Sequence, residues 1–559
     1  MDFIHNFFYF IVLIGALVFF HELGHFLVAK ACKVKVHCFS LGFGTTLFSF
    51  QRGETEYRIA LLPLGGYVKM LGELPGVEIP EEDLPRALSS KPLWQRFAVV
   101  LAGPAFNFIL AFIIYFCMFL GNQTFMDTRV GVVSHGDPAW EAGLRPGDKI
   151  VEVNGQAVEA WGDLREEIAG RPGESIPMVY ERKGQRHATT VLPETHQEEN
   201  LFKEQESRGR IGISLQYVKP VIAVVDPRSP AAEAGLQSDD VIVGVEGQAI
   251  EAWHELRAVL RAIPKGESVS LTVTRDEQER SFVVRPNAAF PPELDRELFS
   301  SADTPWGYTG ICSKGTVIEE VAEGTPAYQA GLAPGDRLTK IVMNKKDGTF
   351  NERLIGVWEI DLAAFHGADA RNDFVLTIQR GVEVFSRPLR LLAKEEVDDL
   401  KNVSTRYVFG ATNDRTVLGS YTFERVIGPG EAVGRALDQV GEDTTLIGTG
   451  IAKLVQGTVP MDSMGGPIML FVFAGKSAEH GIQSFLRMLA IISVNLGLFN
   501  LLPVPVLDGG HLMLFLIEGI RRKPPSIRFR EITNMVGIAI LLLLMVLVFS
   551  NDIMRFVLG

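Results

Sequence analysis

The pentapeptide His21-Glu22-Leu23-Gly24-His25 brings two imidazoles and a carboxylate together at a spacing that suits one metal ion. On an α-helix, residues four apart share a face, so His21 and His25 can turn ring nitrogens to a single tetrahedral Zn2+. Glu22, beside the first ligand, can then reach a water on that ion, whose pKa falls to about 7, and take its proton as it attacks a carbonyl. The chemistry expected is metal-assisted hydrolysis of a peptide bond. Its setting is unusual, because the motif ends an apolar run from Phe7 to Phe20. Ionisable side chains at membrane depth are expensive and normally functional, so the sequence points to a zinc site inside a membrane.

A catalytic zinc needs a third protein ligand. The segment from Asn495 to His511 places Asp508 at a break in a hydrophobic stretch, after Pro503 and Pro505. The two prolines deny a helix its backbone donors, and non-helical backbone at membrane depth is tolerated only against protein or a water-filled cavity. Asp508 is well placed to complete the ligand set.

The elements that must position these residues are membrane spans. The 559 residues are 47% hydrophobic with a mean hydropathy of +0.16, more apolar than a soluble multidomain chain needs. Apolar stretches run from about Phe3 to Ala29, Phe97 to Leu120, Phe485 to Val506 and Met535 to Phe549, each near the length that crosses a hydrocarbon core. The first lacks a basic leader and a small-residue cleavage site, and reads as a retained span. Lys30, Lys33, Lys35 and Arg96 flank the first two spans, and Arg521, Arg522, Lys523, Arg528 and Arg530 lie between the last two. Positive flanks belong in the cytoplasm, so both termini and residues 121–483 fall on the opposite side, with the HExxH motif toward the cytoplasmic end of its span. A net charge of −13 excludes a nucleic-acid footprint, which needs clustered Lys and Arg. Cys32, Cys38, Cys117 and Cys312 form no CxxC motif and read as ordinary thiols.

Between the second and third spans one pattern occurs three times. Pro138-Ala139-Trp140-Glu141-Ala142-Gly143-Leu144 through Asp148 is repeated from Pro230 to Asp240 and from Pro326 to Asp336. The repeated glycines, Gly143, Gly235 and Gly331, are 92 and 96 residues apart, the size of a small domain. Each copy reads as a short helix stopped by glycine, a turn and a strand such as Ile150 to Asn154. The repeats resemble PDZ domains in their circularly permuted bacterial form. Arg210 to Leu215 and Tyr407 to Gly410 are expected to close the first and third copies, and Tyr308 to Ile311 the second.

HExxH on the first span, together with the Asn495-to-Gly509 pattern on the third, resembles the site-2 protease family of intramembrane metalloproteases, peptidase family M50, and within it the RseP-like group. Leu62 to Met70, Ala102-Gly103-Pro104-Ala105-Phe106-Asn107, Gly465-Gly466-Pro467-Ile468 and the PDZ insertion extend the resemblance over almost the entire chain. It implies one Zn2+ per chain, His21, His25 and Asp508 as ligands, Glu22 as the base, and Asn495, Asn500, Pro503 and Pro505 near the substrate. The substrates implied are single-pass transmembrane proteins of the anti-sigma-factor type and remnant signal peptides. Two departures stand out. This chain shows three PDZ-like repeats where the group commonly has two, and Thr45 follows Gly42-Phe43-Gly44 where the family often has proline.

Thr46 to Gln51 and Tyr57 to Leu62 alternate around Arg52-Gly53-Glu54-Thr55 like a β-hairpin. The resemblance makes it a membrane-dipping sheet whose free edge can pair with an unwound substrate, with Gly65, Gly66 and Tyr67 as the clamp. Ala432 to Val455 and Met461 to Phe473 read as an amphipathic element at the outer membrane face.

The fold expected is a polytopic α-helical membrane protein with a periplasmic α+β insertion of tandem PDZ domains. Its parts are a first span at residues 1–30, a cytoplasmic loop with the hairpin at 31–95 and a second span at 96–120. PDZ domains follow at 127–217, 218–312 and 313–413, then an amphipathic segment at 423–483 and spans at 484–511 and 533–550. The function expected is intramembrane zinc proteolysis at the bacterial inner membrane, with transmembrane substrates, PDZ peptide ligands and the lipid bilayer as partners and no nucleic acid. Two alternatives lie in other classes. A membrane-anchored PDZ scaffold or chaperone would need no ligand set, and a metal transporter would need further ligands along a path.

Overall fold

The computed structural model describes residues 2–554 apart from 74–78, 135, 201, 203, 265, 288–307, 345–349, 357, 359–361, 363–364, 366–368, 398–402 and 459–464. Met461 to Met464 of the expected amphipathic element lie outside the described residues. The chain forms two compact units, Met1–Gln123 with Arg425–Gly559, and Thr124–Asp398 with Asn402–Glu424.

The first unit is helical. Helices α1 (Asp2–Ala31), α2 (Leu93–Phe119), α3 (Pro429–Gln456), α4 (Pro467–Glu479), α5 (Ile482–Leu501), α6 (Asp508–Arg521) and α7 (Ile527–Ile553) follow in chain order. Among the described residues, four helices are long and apolar enough to cross a membrane: Phe3–Ala31, Leu93–Phe119, Ile482–Leu501 and Arg528–Ile553. The stretch expected to be one span over 484–511 is two elements. Helix α5 stops at Leu501, a turn spans residues 502–507, and Asp508 opens α6, because Pro503 and Pro505 cannot donate to the preceding turn.

Several polar groups buried in this unit are paired across helices, as an apolar environment favours. Tyr115 of α2 donates to Asp443 of α3 at 2.5 Å. Asp552, at the end of α7, accepts from the backbone N–H groups of Gly466, Ile468 and Met469 and so satisfies the otherwise unpaired donors at the start of α4. Arg96 grips Glu518 of α6 with two nitrogens, at 2.5 and 3.2 Å.

Strands β1 (Val36–Arg52) and β2 (Thr55–Met70) form the expected hairpin, with Thr46 opposite Ala60 and Gln51 opposite Glu56. The hairpin folds further than its alternation foretells. Cys38 to Leu41 pair with Glu56 to Ile59 on one side and with Gly66 to Lys69 on the other, so the two strands make four segments, with Gly66 to Met70 at an edge. The doubling turns at Gly42 and Gly44, both at φ +88, where a side chain would be strained. Glu54 at the hairpin tip is ion-paired to Arg86 and Lys30, and the two cations hold its carboxyl below its ordinary range.

The second unit is three modules built alike. Each has a short helix (Pro138–Glu141, Pro230–Glu233, Pro326–Gln329) and a four-stranded antiparallel sheet with one order of strands. Each has its own apolar core, around Leu144, Leu236 and Leu332. The segments expected to close them do so in one pattern. The N–H groups of Ala139, Ala231 and Ala327 donate to the carbonyls of Ile211, Thr309 and Phe409. A shared ion pair, which the sequence reading missed, locks each module. Asp148, Asp240 and Asp336, all 1% exposed, each accept two bonds from one guanidinium, of Arg182, Arg275 and Arg380. Each arginine also donates to the repeated glycine carbonyl, of Gly143, Gly235 or Gly331.

Residues 414–422, left outside every domain by the sequence, return to the linker between the first two modules. Leu418 to Ser420 pair with Gln216 to Val218, and Tyr421 stacks on Tyr217 with ring centres 4.4 Å apart.

A candidate metal centre

The site is assembled where α1 and α2 touch backbone to backbone. A methyl group on Gly24 would stand 2.2 Å from the carbonyl oxygen of Ala102, and one on Gly103 would stand 2.2 Å from Nε2 of His25. Small residues let helices in a bilayer approach this closely, and here the approach lays α2 beneath both imidazoles. Val99, Gly103 and Asn107 occur every four residues on α2, along the same stretch as His21 and His25 on α1. The Nδ1 of His25 donates to the Val99 carbonyl at 2.9 Å. Asn107 meets Nδ1 of His21, its side-chain nitrogen 3.1 Å away.

Asp508 arrives from the far end of the chain as the first residue of α6, where the helix N-terminus favours a negative charge. The turn delivering it is tight. A methyl on Gly509 would lie 2.2 Å from the Leu502 carbonyl, one on Gly510 would lie 2.5 Å from the Val504 carbonyl, and Val506 is held at φ +91. A β-branched residue in that conformation is strained, and such strain concentrates at functional sites.

These elements bring His21, His25 and Asp508 together, with one potential ligand atom from each all within 4.8 Å of one another. Nε2 of His21 is 3.2 Å from Nε2 of His25 and 3.2 Å from Oδ2 of Asp508, and His25 Nε2 is 3.6 Å from that oxygen. Ligands about 2.0–2.2 Å from a tetrahedral Zn2+ stand about 3.3–3.6 Å from each other. The triangle therefore has the edge lengths of one tetrahedral face. The donor set agrees, since two imidazoles with unprotonated Nε2 atoms and a carboxylate, turned to one point, would present lone pairs that a divalent cation satisfies.

Glu22 lies beside this cluster, under β2: a methyl on Gly66 would be 3.1 Å from Glu22 Cγ and 2.8 Å from a methyl of Val18. Gly65 is next to the Phe43 ring, which stacks on Tyr67. Asn495 and Asn500 are half-buried on α5, and Pro503 and Pro505 lie in the turn after it. Among the described residues, no hydrogen bond joins these last four to the three ligands, and Asn495 Oδ1 is buried without a partner. Gly103 and Asn107 are the neighbours that the sequence reading did not single out as site residues. The available signal was an asparagine inside an otherwise apolar helix.

Two imidazoles and a carboxylate at metal-ligand spacing, with a second carboxylate beside them and membrane-length helices around them, fit the arrangement of an intramembrane metallopeptidase. Comparison with known proteins agrees: the model of Peptidase family M50 matches residues 9–544. The chain is 31% identical over 555 residues to a protein of Neisseria meningitidis serogroup A named, provisionally, as a zinc metalloprotease, covering 99% of both chains. It is 30% identical over 550 residues to the regulator of sigma-E protease RseP of Escherichia coli K12 and to protease RseP of Yersinia pestis, in each case over 98% of both chains. The chain belongs to peptidase family M50, the site-2 proteases, and is a zinc metalloprotease.

Proposed function

We propose that the protein is an inner-membrane endopeptidase that cuts single-pass transmembrane substrates in regulated intramembrane proteolysis, with one Zn2+ per chain held by His21, His25 and Asp508. The observation that carries this reading is the 3.2, 3.2 and 3.6 Å triangle of ligand atoms. Bound there, zinc would polarise the scissile carbonyl and acidify the attacking water. Glu22 is the general base that accepts the water's proton and returns it to the leaving amine.

A transmembrane helix hides its peptide bonds in its own hydrogen-bond ladder and must unwind before attack. Among the described residues, Gly66 to Lys69 of β2 are paired on one side only, and Gly66 lies against Glu22. That edge offers an unwound substrate replacement partners, with Gly65, Gly66 and Tyr67 as the clamp and Asn495, Asn500, Pro503 and Pro505 as further substrate contacts. The positive flanks support a site toward the cytoplasm, with the three modules of the second unit in the periplasm as PDZ domains that bind peptides or exclude bulky substrates. The substrate class is of the anti-sigma-factor type, with remnant signal peptides a second. A scaffold without proteolysis would leave the ligand triangle without a use.

The test is cleavage of a model transmembrane substrate by purified protein in lipid, comparing parent with Glu22→Gln at equal zinc content. The expected result is loss of activity by several orders of magnitude. Equal cleavage by both would remove Glu22 as base and the protease mechanism with it.

A further inference from the structure

We propose that Asn107 is a positioning residue for the metal: its side-chain amide decides which nitrogen of His21 carries the proton, and so whether His21 can ligate. This rests on the reading of His21 as a ligand.

A neutral imidazole has one proton to place, and its partner at the other nitrogen decides where. For His25 the partner is a backbone carbonyl, that of Val99 at 2.9 Å. A carbonyl can only accept, so the His25 proton is fixed on Nδ1 and Nε2 is left as a ligand atom. His21 has no such fixed partner. Its Nδ1 faces the Asn107 amide, which can donate through nitrogen or accept through oxygen.

Asn107 is fully buried. In the orientation that puts its nitrogen 3.1 Å from His21 Nδ1, Nδ1 must be the acceptor, which would put the proton on Nε2, facing Asp508 Oδ2 at 3.2 Å. That is a self-satisfied histidine–carboxylate pair, and it leaves Asn107 Oδ1 buried without a partner among the described residues. Rotation of the amide by half a turn exchanges two groups of nearly equal size. Oδ1 then accepts from Nδ1–H, the amide nitrogen takes the oxygen's former place, and Nε2 of His21 is freed to ligate alongside that of His25.

The backbone around the amide is pinned. The Asn107 carbonyl accepts from Ser493 Oγ of α5 at 2.7 Å, and Ser493 is itself fully buried. The two orientations of the amide plane correspond to a closed His21–Asp508 pair and to a site open to metal. Asn107 acts through His21 and does not touch the reacting atoms.

The experiment uses the full chain in detergent, stripped of metal, with Zn2+ affinity measured by competition against a chromophoric chelator and Co2+ binding followed by its visible spectrum. Asn107→Leu cannot accept from Nδ1–H and is expected to bind Zn2+ about 10–100-fold more weakly, the usual effect of losing a ligand's outer partner. Asn107→Asp keeps an acceptor at the same place and is expected to stay within a few-fold of the parent, with the parent's cobalt spectrum. An Asn107→Leu protein that binds zinc as tightly as the parent overturns the proposal. So does an Asn107→Asp protein as weak as Asn107→Leu, which would mark the site as one of shape alone. If the parent itself binds no zinc, the ligand assignment falls first and takes this inference with it.

Discussion

Gly103→Ala adds a single methyl group and is expected to disable the site. That methyl would stand 2.2 Å from Nε2 of His25 and 2.9 Å from Cε1 of His21, whereas non-bonded carbon contacts settle at about 3.5–4.0 Å. Relief needs a displacement of about 1 Å or more, and the neighbours are two rings whose places are set by hydrogen bonds to α2 itself. Either the helices part or the rings turn away from Asp508. Both responses spoil a triangle whose edges are 3.2, 3.2 and 3.6 Å, and misplacement by about 1 Å costs on the order of 100-fold in rate. Global stability moves less, because overpacking costs about 1–3 kcal/mol while alanine in a helix recovers about 0.5–1 kcal/mol over glycine. The assay is zinc content by elemental analysis and cleavage rate of a transmembrane substrate, with Gly15→Ala, on the α1 helix that carries the histidines, as the control. Nothing lies within 4 Å of a methyl on Gly15, so that variant should match the parent. A Gly103→Ala enzyme with full zinc content and parental rate would refute the close approach of α2 to the histidines.

Two further outcomes test the supporting structure. Arg275→Met leaves the Asp240 carboxylate, 1% exposed, without its two charged bonds; breaking a buried pair from one side costs about 3–5 kcal/mol, and limited proteolysis of the full chain should then open the second module first. Glu54 is held below its ordinary pKa by Arg86 and Lys30, so its contribution is present above the unfolded carboxylate value of about 4.3 and is lost as pH falls through the lower folded value. Because the pair is partly exposed, the effect is at most about 1 kcal/mol, and thermal scans of Glu54→Gln between pH 5 and pH 3 should show a slightly shallower loss of stability than the parent.

The parts of this molecule that the sequence disclosed are those whose signal is local. His21 and His25 lie one helical turn apart, the spans are continuous runs, and the three modules repeat their own text. Asp508 was legible for a different reason, as a carboxylate after two prolines in an apolar stretch. The same prolines place it at the start of a separate helix, not within the third span, because they end α5 before the motif is complete. What escaped notice depends on partners distant along the chain. Arg182, Arg275 and Arg380 follow their aspartates by 34, 35 and 44 residues, and that uneven spacing conceals a repeat that the folded modules reproduce bond for bond.

The same contrast explains why the three residues that come together could be read as ligand candidates and the groups packed against them could not. A metal ligand must be one of a few residue types, so His, Glu and Asp announce themselves. The support at α2 is a backbone carbonyl, a missing side chain and an amide. The Val99 carbonyl has no sequence signature at all, since every residue carries one. Gly103 is one glycine among 55, and its meaning appears only when the 2.2 Å distance to His25 is known. Asn107 alone offered a signal, which went unused: an unpaired amide in an apolar helix is costly and calls for a partner. The residue most expensive to bury is thus the one that ties the second span to the chemistry of the first, and a substitution there should alter metal binding before it alters the fold.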